Sequence, residues 1–238
     1  ERESLLADVA AAFPQITTLQ YVINEKQNDT IYDQDVITYS GPGYIEEAMP
    51  KYSGSGELRF KIGPKSFYQT NPSQAHELYK VALDMADIQK DDVVFDLYTG
   101  TGTIALFMAE KAKEVVGIEL IPEAIVDAKT NAKKNGIKNA TFYDGDMKDV
   151  FTEEFVAKHG KPSILITDLP REGMHANVVQ SLLDLEIPKI VYVSCNSATQ
   201  ARDLGLLQEK YTVKQSRAVD MFPQTHHIEN VVQLVLKA

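Results

Sequence analysis

The sequence predicts an α/β protein, a doubly wound and mostly parallel sheet ending in an antiparallel hairpin and preceded by a small α+β appendage. Three observations predict it. From residue 66 onward, short apolar runs alternate with amphipathic helical stretches, the βαβ rhythm of a parallel sheet. A tight Gly-x-Gly turn, Gly100-Thr101-Gly102, follows the first of those runs and leads into a helical stretch. The last two strand-like segments, residues 211–219 and 231–236, have no strong helical pattern between them, which favours a hairpin.

In chain order, residues 4–13 read as a helix, and 18–23 and 36–39 as short alternating strands broken by Asn28-Asp29 and Gly41-Pro42-Gly43. The pattern changes near Gly63-Pro64, which divides the chain into an appendage, 1–65, and a main domain, 66–238. In the main domain, strands at 93–97, 114–119, 141–143, 164–168 and 190–193 alternate with helices at 104–111, 122–135, 177–185 and 198–210.

Composition narrows the setting. With 238 residues, 44% hydrophobic and 24% charged, the chain can bury a full core. Its one cysteine cannot form an intramolecular disulfide, a cysteine-rich zinc site or an iron–sulfur cluster, which favours a reducing compartment and hence the cytoplasm. No run of about 18 apolar residues suggests a membrane span. The first residue is Glu1 rather than Met, consistent with a piece of a longer protein. A formal charge of -10 argues against a generally basic, nucleic-acid-coating surface and leaves room for a local basic groove.

Chemistry gathers at the predicted carboxyl ends of the strands, where open α/β sheets bind their ligands. The run Val93-Val94-Phe95-Asp96 enters the turn through Leu97-Tyr98-Thr99, and a helix begins near Thr103. Ala105 stands where a dinucleotide fingerprint wants its third glycine, so spacing alone does not exclude a nicotinamide or flavin. Asp96 discriminates better. A carboxylate beside the turn repels a pyrophosphate but suits an ammonium, and S-adenosylmethionine carries an ammonium and no phosphate. Glu119 ends the next strand, where a carboxylate can take both hydroxyls of a ribose, and Asp146 follows the third strand, placed to meet an adenine amino group. Cys195 ends the strand Ile190-Val191-Tyr192-Val193-Ser194 at the same edge.

These residues resemble class I S-adenosylmethionine-dependent methyltransferases and, more narrowly, the RNA uracil-5-methyltransferase family. Four motifs carry the resemblance, from about Ser66 to the end. They are Phe67-Tyr68-Gln69-Thr70-Asn71, Asp96-Leu97-Tyr98-Thr99-Gly100-Thr101-Gly102, Val193-Ser194-Cys195-Asn196-Ser197-Ala198-Thr199, and Asp220-Met221-Phe222-Pro223 followed by His227-Ile228-Glu229. The resemblance implies methyl transfer from S-adenosylmethionine to carbon 5 of a uridine in structured RNA, rRNA or tRNA, through a covalent cysteine–uracil adduct. Cys195 matches the nucleophile that adds to carbon 6, and Glu229 the base that removes the carbon 5 proton. Asp168 matches the acid of a turn between cofactor and base, and a candidate neighbour of Cys195. Gln69, Asp96, Tyr98, Gly100, Gly102, Thr103, Glu119, Asp146 and Asp168 match cofactor positions. The target uridine has to leave its stack to meet the thiol. The appendage corresponds to part of a central RNA-contacting domain. The family's amino-terminal RNA-binding barrel is not visible, and one cysteine leaves no iron–sulfur cluster in this chain.

At Asp168-Leu169-Pro170-Arg171, Leu169 departs from the family's Asp-Pro pattern, and Leu does not fix φ as Pro does. His226-His227 is read as no metal site, because neighbouring side chains on a strand point to opposite faces; His227 positions the loop carrying Glu229. The lysines of residues 129–138 read as the solvated face of a helix. A monomer without metal or membrane is expected. Two alternatives stay open: a non-catalytic RNA-binding module on the same scaffold, and a nicotinamide-dependent oxidoreductase, which would leave Cys195 and Glu229 idle.

Overall fold

The computed structural model describes residues 1–28, 30, 31 and 33–237, with the backbone alone at Lys148; Asp29 of the Asn28-Asp29 break lies outside them. The chain begins with α1 (Arg2–Ala12) and two hairpins, β1 (Leu19–Val22) with β2 (Val36–Ser40), and β3 (Ile45–Pro50) with β4 (Glu57–Ile62). It continues through α2 (Pro72–Ala86), β5 (Val93–Leu97), α3 (Thr103–Met108), β6 (Glu114–Glu119), α4 (Pro122–Lys134), β7 (Ala140–Asp144), α5 (Met147–Val150) and α6 (Glu153–His159). The final run is β8 (Ile164–Leu169), α7 (Ala176–Leu185), β9 (Lys189–Ser194), α8 (Ser197–Leu207), β10 (Tyr211–Val219) and β11 (Glu229–Leu236).

Seven strands form one sheet in the order β10-β11-β9-β8-β5-β6-β7. The five from β9 to β7 are parallel, and β11 runs antiparallel between β9 and β10. This is the predicted doubly wound sheet with its terminal hairpin. The chain winds from β5 outward to β7, then returns to β8 on the other side of β5, so the switch point lies between β5 and β8. The central strands are buried on both faces, which is why Val93-Val94-Phe95 and Ile190-Val191-Tyr192-Val193 read as continuous apolar runs. One core lies under α2, α3 and α4, with Leu78, Phe107 and Ile125; the other lies under α7, with Leu165, Val179 and Leu182.

Two features without an assignment in the sequence reading complete the first core. In β4, Leu58, Phe60 and Ile62 are buried while Glu57 and Arg59 are exposed, and with Met49 they join the cluster of α2 and α3. Helix α2 is capped by Asn71, whose Oδ1 accepts from the Gln74 N–H at 3.4 Å, and has Pro72 at its first position.

Helix α4 covers the free edge of β4 in an unusual way. Asn131 Oδ1 accepts from the Lys61 N–H at 2.7 Å and its Nδ2 donates to the Lys61 carbonyl at 3.1 Å. Asn135 does the same to Arg59, at 2.8 Å in both bonds, and Asp127 Oδ2 accepts from the Gly63 N–H at 2.9 Å. Four helical residues rise about 6 Å, close to the roughly 6.6 Å of two strand residues. Asp127, Asn131 and Asn135 therefore match every second residue of β4 and substitute for a neighbouring strand.

Candidate active site

Asp96 ends β5 buried, at 1% exposure. Thr99 Oγ1 donates to its Oδ2 at 2.5 Å, while Oδ1 is buried without a well-formed hydrogen bond among the described residues. Burial pushes its carboxyl up to about 7, against the lowering by Thr99 and by the Ala105 N–H, with the Glu119 charge adding to the rise. The turn after it is tight: Tyr98 has φ 63, Gly100 φ 55 and Gly102 φ 80. A non-glycine residue in that region marks strain of the kind concentrated at functional sites. At Gly102 a Cβ would lie 3.1 Å from Ala128 and Phe142, so glycine is required by both φ and packing.

Glu119 clamps the turn. Its Oε2 accepts from the Gly100 N–H and its Oε1 from the Ile121 N–H, both at 3.0 Å. Gly145, which precedes Asp146, donates its N–H to the Glu119 carbonyl at 2.9 Å. Burial first, and then the charges of Asp146, Glu119 and Asp203, push the Tyr98 hydroxyl up to about 12. Thr103 opens α3 buried, and Gln69 is buried in the segment leading to α2. Asn71 ties that segment to the late motif, its Nδ2 donating to the Met221 carbonyl at 2.8 Å.

Cys195 follows β9 and precedes Asn196, the N-cap of α8. Asn196 Oδ1 accepts from the N–H groups of Ala198 and Thr199, and its Nδ2 donates to the Arg171 carbonyl at 3.0 Å. Thr199 Oγ1 also donates to that carbonyl, at 3.1 Å. Ser194 closes the loop: its Oγ accepts from the Asn196 N–H and bonds the Asn196 carbonyl, both at 3.1 Å. The Ser-Cys-Asn-x-Ala-Thr spelling thus fixes the thiol between a helix N-terminus and the turn after β8.

Strand β11 delivers Glu229 to the same place. The last β9–β11 pair is Ser194 with Asn230, so Glu229 and Cys195 are the next step along the two chains. Glu229 is buried, its Oε2 has no hydrogen-bond partner among the described residues, and burial raises its carboxyl while Arg171 opposes the rise. Asp168 pairs with Val193, and burial, then Glu229 and Asp96, push its carboxyl up to about 8. The Cys195 thiol is raised first by burial and then by Glu229; Arg171 lowers it and Asp168 raises it. Asp168 thus acts on the thiol through its charge, and the favouring cation is Arg171, which the sequence reading left without a role.

Leu169 leaves the turn intact by continuing β8: it pairs with Ser194 and is 3% exposed, and the chain turns at Pro170 instead. His226 and His227 lie in the loop before β11, not on a strand, and their rings stack 4.2 Å apart, so the opposite-faces reasoning is corrected. Among the described residues no group of three His, Cys, Asp or Glu could hold a metal ion, and no helix is long and apolar enough to cross a membrane.

The family model for tRNA (uracil-5-)-methyltransferases matches residues 41–237. The chain belongs to this family. An RNA methyltransferase of Porphyromonas gingivalis, not further characterised, is 58% identical over 236 residues, covering 98% of this chain and 50% of the relative. One from Oceanobacillus iheyensis is 40% identical and covers 100% of this chain and 50% of its own length. The chain thus spans about half the length of the curated relatives it matches. The crystal structure of Pyrococcus abyssi tRNA (uracil-54, C5)-methyltransferase with S-adenosyl-L-homocysteine superposes with a TM-score of 0.77 at 28% identity, over 95% of this chain and 53% of that one. A tRNA m1G37 methyltransferase of M. jannaschii, at 15% identity and a TM-score of 0.63, shares the fold.

Within this uracil-5-methyltransferase family member, further residues that the sequence reading passed over hold the site together. Asp203, fully buried, accepts at Oδ2 from the Met174 N–H and the Tyr192 hydroxyl, both at 2.8 Å, and at Oδ1 from Arg202. Gln200, also buried, donates to the carbonyls of Tyr192 and Asn230 and accepts from Asn230 Nδ2 at 2.7 Å. A buried polar residue inside an amphipathic helix was the signal available for each.

Proposed function

We propose that the protein transfers a methyl group from S-adenosylmethionine to carbon 5 of a specific uridine in structured RNA, rRNA or tRNA, through a covalent Cys195–uracil adduct. The juxtaposition of Cys195 with Glu229 on neighbouring strands, beside Asp168 and Arg171, carries this reading. A nucleophile that must add and a base that must later remove a proton from the adjacent carbon need this closeness.

The residues fit the cofactor. Asp96 has a buried oxygen without a well-formed hydrogen bond among the described residues, and like charges and burial raise Asp96 and Asp168 together. A cationic ligand relieves both effects and a pyrophosphate worsens them, which favours S-adenosylmethionine over a nicotinamide. Asp96 would take its ammonium, Glu119 its ribose, and Asp146 its adenine, with Gln69, Tyr98, Gly100, Gly102, Thr103 and Asp168 completing the walls. When bound, it supplies an electrophilic methyl group.

Carbon 5 of uracil is too weak a nucleophile on its own. Addition of the Cys195 thiolate to carbon 6 of a flipped-out uridine makes it an enolate carbon, able to accept the methyl. Arg171 and the N-terminus of α8 favour the thiolate against the burial that opposes it. Glu229 then takes the carbon 5 proton, and the electron pair released expels Cys195 and restores the ring.

RNA containing 5-fluorouridine tests the scheme, since fluorine at carbon 5 cannot leave as a proton. The full-length protein with S-adenosylmethionine should form a stable adduct that Cys195→Ala abolishes. No adduct, together with no methyl transfer to the natural RNA, would sink the reading. Methylation profiling of RNA from a strain lacking the gene identifies the uridine.

A further inference from the structure

A cavity of about 480 Å³ lies between the first hairpin, the second hairpin and the segment that carries Gln69. Gln20, Tyr44, Glu47, Ile62 and Tyr68 line it, and Gln69 belongs to its wall. Asp96, Gly100, Gly102, Glu119 and Asp146 do not, so it is separate from the space assigned to the cofactor.

The lining has the character of a nucleobase site. Two tyrosines and two isoleucines, Ile45 and Ile62, offer flat and apolar surface of the kind on which unstacked RNA bases settle. Tyr44 is held by the Lys61 ammonium, 5.1 Å from its ring centre, and Lys61 is itself held by Asp127 at 3.1 Å. Gln20 is anchored by donating to Thr38 Oγ1 at 3.1 Å and to the Gly43 carbonyl at 3.3 Å. Two of the remaining polar groups bear on what the cavity would take. Glu47 is half-buried and its carboxylate makes no hydrogen bond or ion pair among the described residues. The Tyr68 hydroxyl is shielded from solvent without a partner, and it lies near enough to Glu47 to feel its charge. A buried donor without a partner destabilises the fold, so a ligand that satisfies it is favoured.

We propose that this cavity receives an unstacked adenine or cytosine that flanks the target uridine in the RNA, with Glu47 accepting from its amino group and the Tyr68 hydroxyl donating to the neighbouring ring nitrogen. On the Watson–Crick edge adenine and cytosine present an amino donor beside a ring-nitrogen acceptor; uracil and guanine present a ring N–H there and mismatch the pair. Gln69, shared by this cavity and the cofactor wall, would sense both. The inference rests on the proposed RNA substrate and deepens it.

The test uses the full-length protein and RNA from a strain lacking the gene. With a photoreactive benzoylphenylalanine at Tyr44, the crosslink should map to an adenine or cytosine within a few nucleotides of the methylated uridine. RNA carrying the desamino analogue at that nucleotide should lose about tenfold in kcat/KM with the wild-type protein and nothing further with Glu47→Gln. Glu47→Gln should bind S-adenosylhomocysteine with unchanged affinity, and Tyr68→Phe should behave likewise. A crosslink to uracil or to a remote nucleotide, additive losses, an unaffected Glu47→Gln, or a loss confined to S-adenosylhomocysteine binding each overturns the inference. If the wild type forms no 5-methyluridine, the proposed function falls and takes this with it; if methylation proceeds while the analogue has no effect, this inference alone falls.

Discussion

Asn131 Nδ2 donates to the carbonyl of Thr101 at 3.1 Å, in the middle of the Gly-x-Gly turn, while the same side chain pairs with the backbone of Lys61. One buried amide thus joins the second hairpin to the turn that would cradle the cofactor. Its neighbour Asn135 makes the equivalent bonds to Arg59 but does not reach the turn.

That difference separates two effects. Asn131→Ala should weaken S-adenosylhomocysteine binding about tenfold and cost about 2–3 kcal/mol of stability, because it strands buried backbone groups. Asn135→Ala should cost about 1 kcal/mol and leave the binding constant unchanged. Calorimetric titration alongside denaturant melts checks both. Equal binding constants in the two variants would mean that the turn holds its shape without the hairpin.

The acidic pair predicts a pH dependence. Asp96 and Asp168 are raised to about 7 and about 8, so the folded state binds more protons than the unfolded one above the ordinary carboxylate range. Their contribution to stability is fully present below about pH 4 and is lost as pH rises through 7 and 8. The ligand-free protein should therefore melt several degrees lower at pH 8.5 than at pH 6. Asp96→Asn should flatten that slope, and S-adenosylhomocysteine should bind more tightly as pH rises through 7. A melting temperature that climbs over this range, with the same climb in Asp96→Asn, would contradict the assignment.

Much of this could be read in advance. The strands β5, β6, β8 and β9 are buried on both faces, and continuous apolar runs between turn residues are hard to mistake. The hairpin β3–β4 was harder: β4 alternates strictly, Leu58, Phe60 and Ile62 against Glu57, Arg59 and Lys61, but in β3 the consecutive Glu46 and Glu47 break the pattern, and the apolar face is completed only by α2 and α3. Cys195 and Glu229 could be named from motifs, but their meeting depends on the register of β9 with β11, which no local pattern encodes. Arg171 and Asn131 stayed hidden for the same reason: their partners lie far along the chain, and an arginine in a turn or an asparagine on a helix is ordinary until its contacts are seen.

Arg171 opposes the upward shifts at the site. It lowers both the Cys195 thiol and the Glu229 carboxyl against the burial that raises them. Arg171→Ala should shift the pH profile of adduct formation on 5-fluorouridine RNA upward, so that the rate at pH 7 falls far more than the rate at pH 9. Arg171→Lys should restore part of the shift. A uniform loss at all pH values would assign Arg171 to RNA binding alone.

Gln200 offers a way to test addition and elimination separately. It joins α8, which follows Cys195, to Asn230, which follows Glu229, through two hydrogen bonds, and to the Tyr192 carbonyl of β9 through a third. Gln200→Leu keeps the volume but leaves the Tyr192 carbonyl and the Asn230 amide without this partner, at a cost of about 2–3 kcal/mol. The seat of Glu229 should loosen while the cap of α8, made by Asn196, keeps Cys195 in place. Adduct formation on 5-fluorouridine RNA should then stay within about threefold of wild type, whereas turnover on natural RNA should fall by about tenfold or more, since in the proposed scheme Glu229 serves only the second step. Gel-shift rates for the first reaction and methyl incorporation for the second measure the two separately. If both fall in parallel, the bridge positions the nucleophile as well as the base.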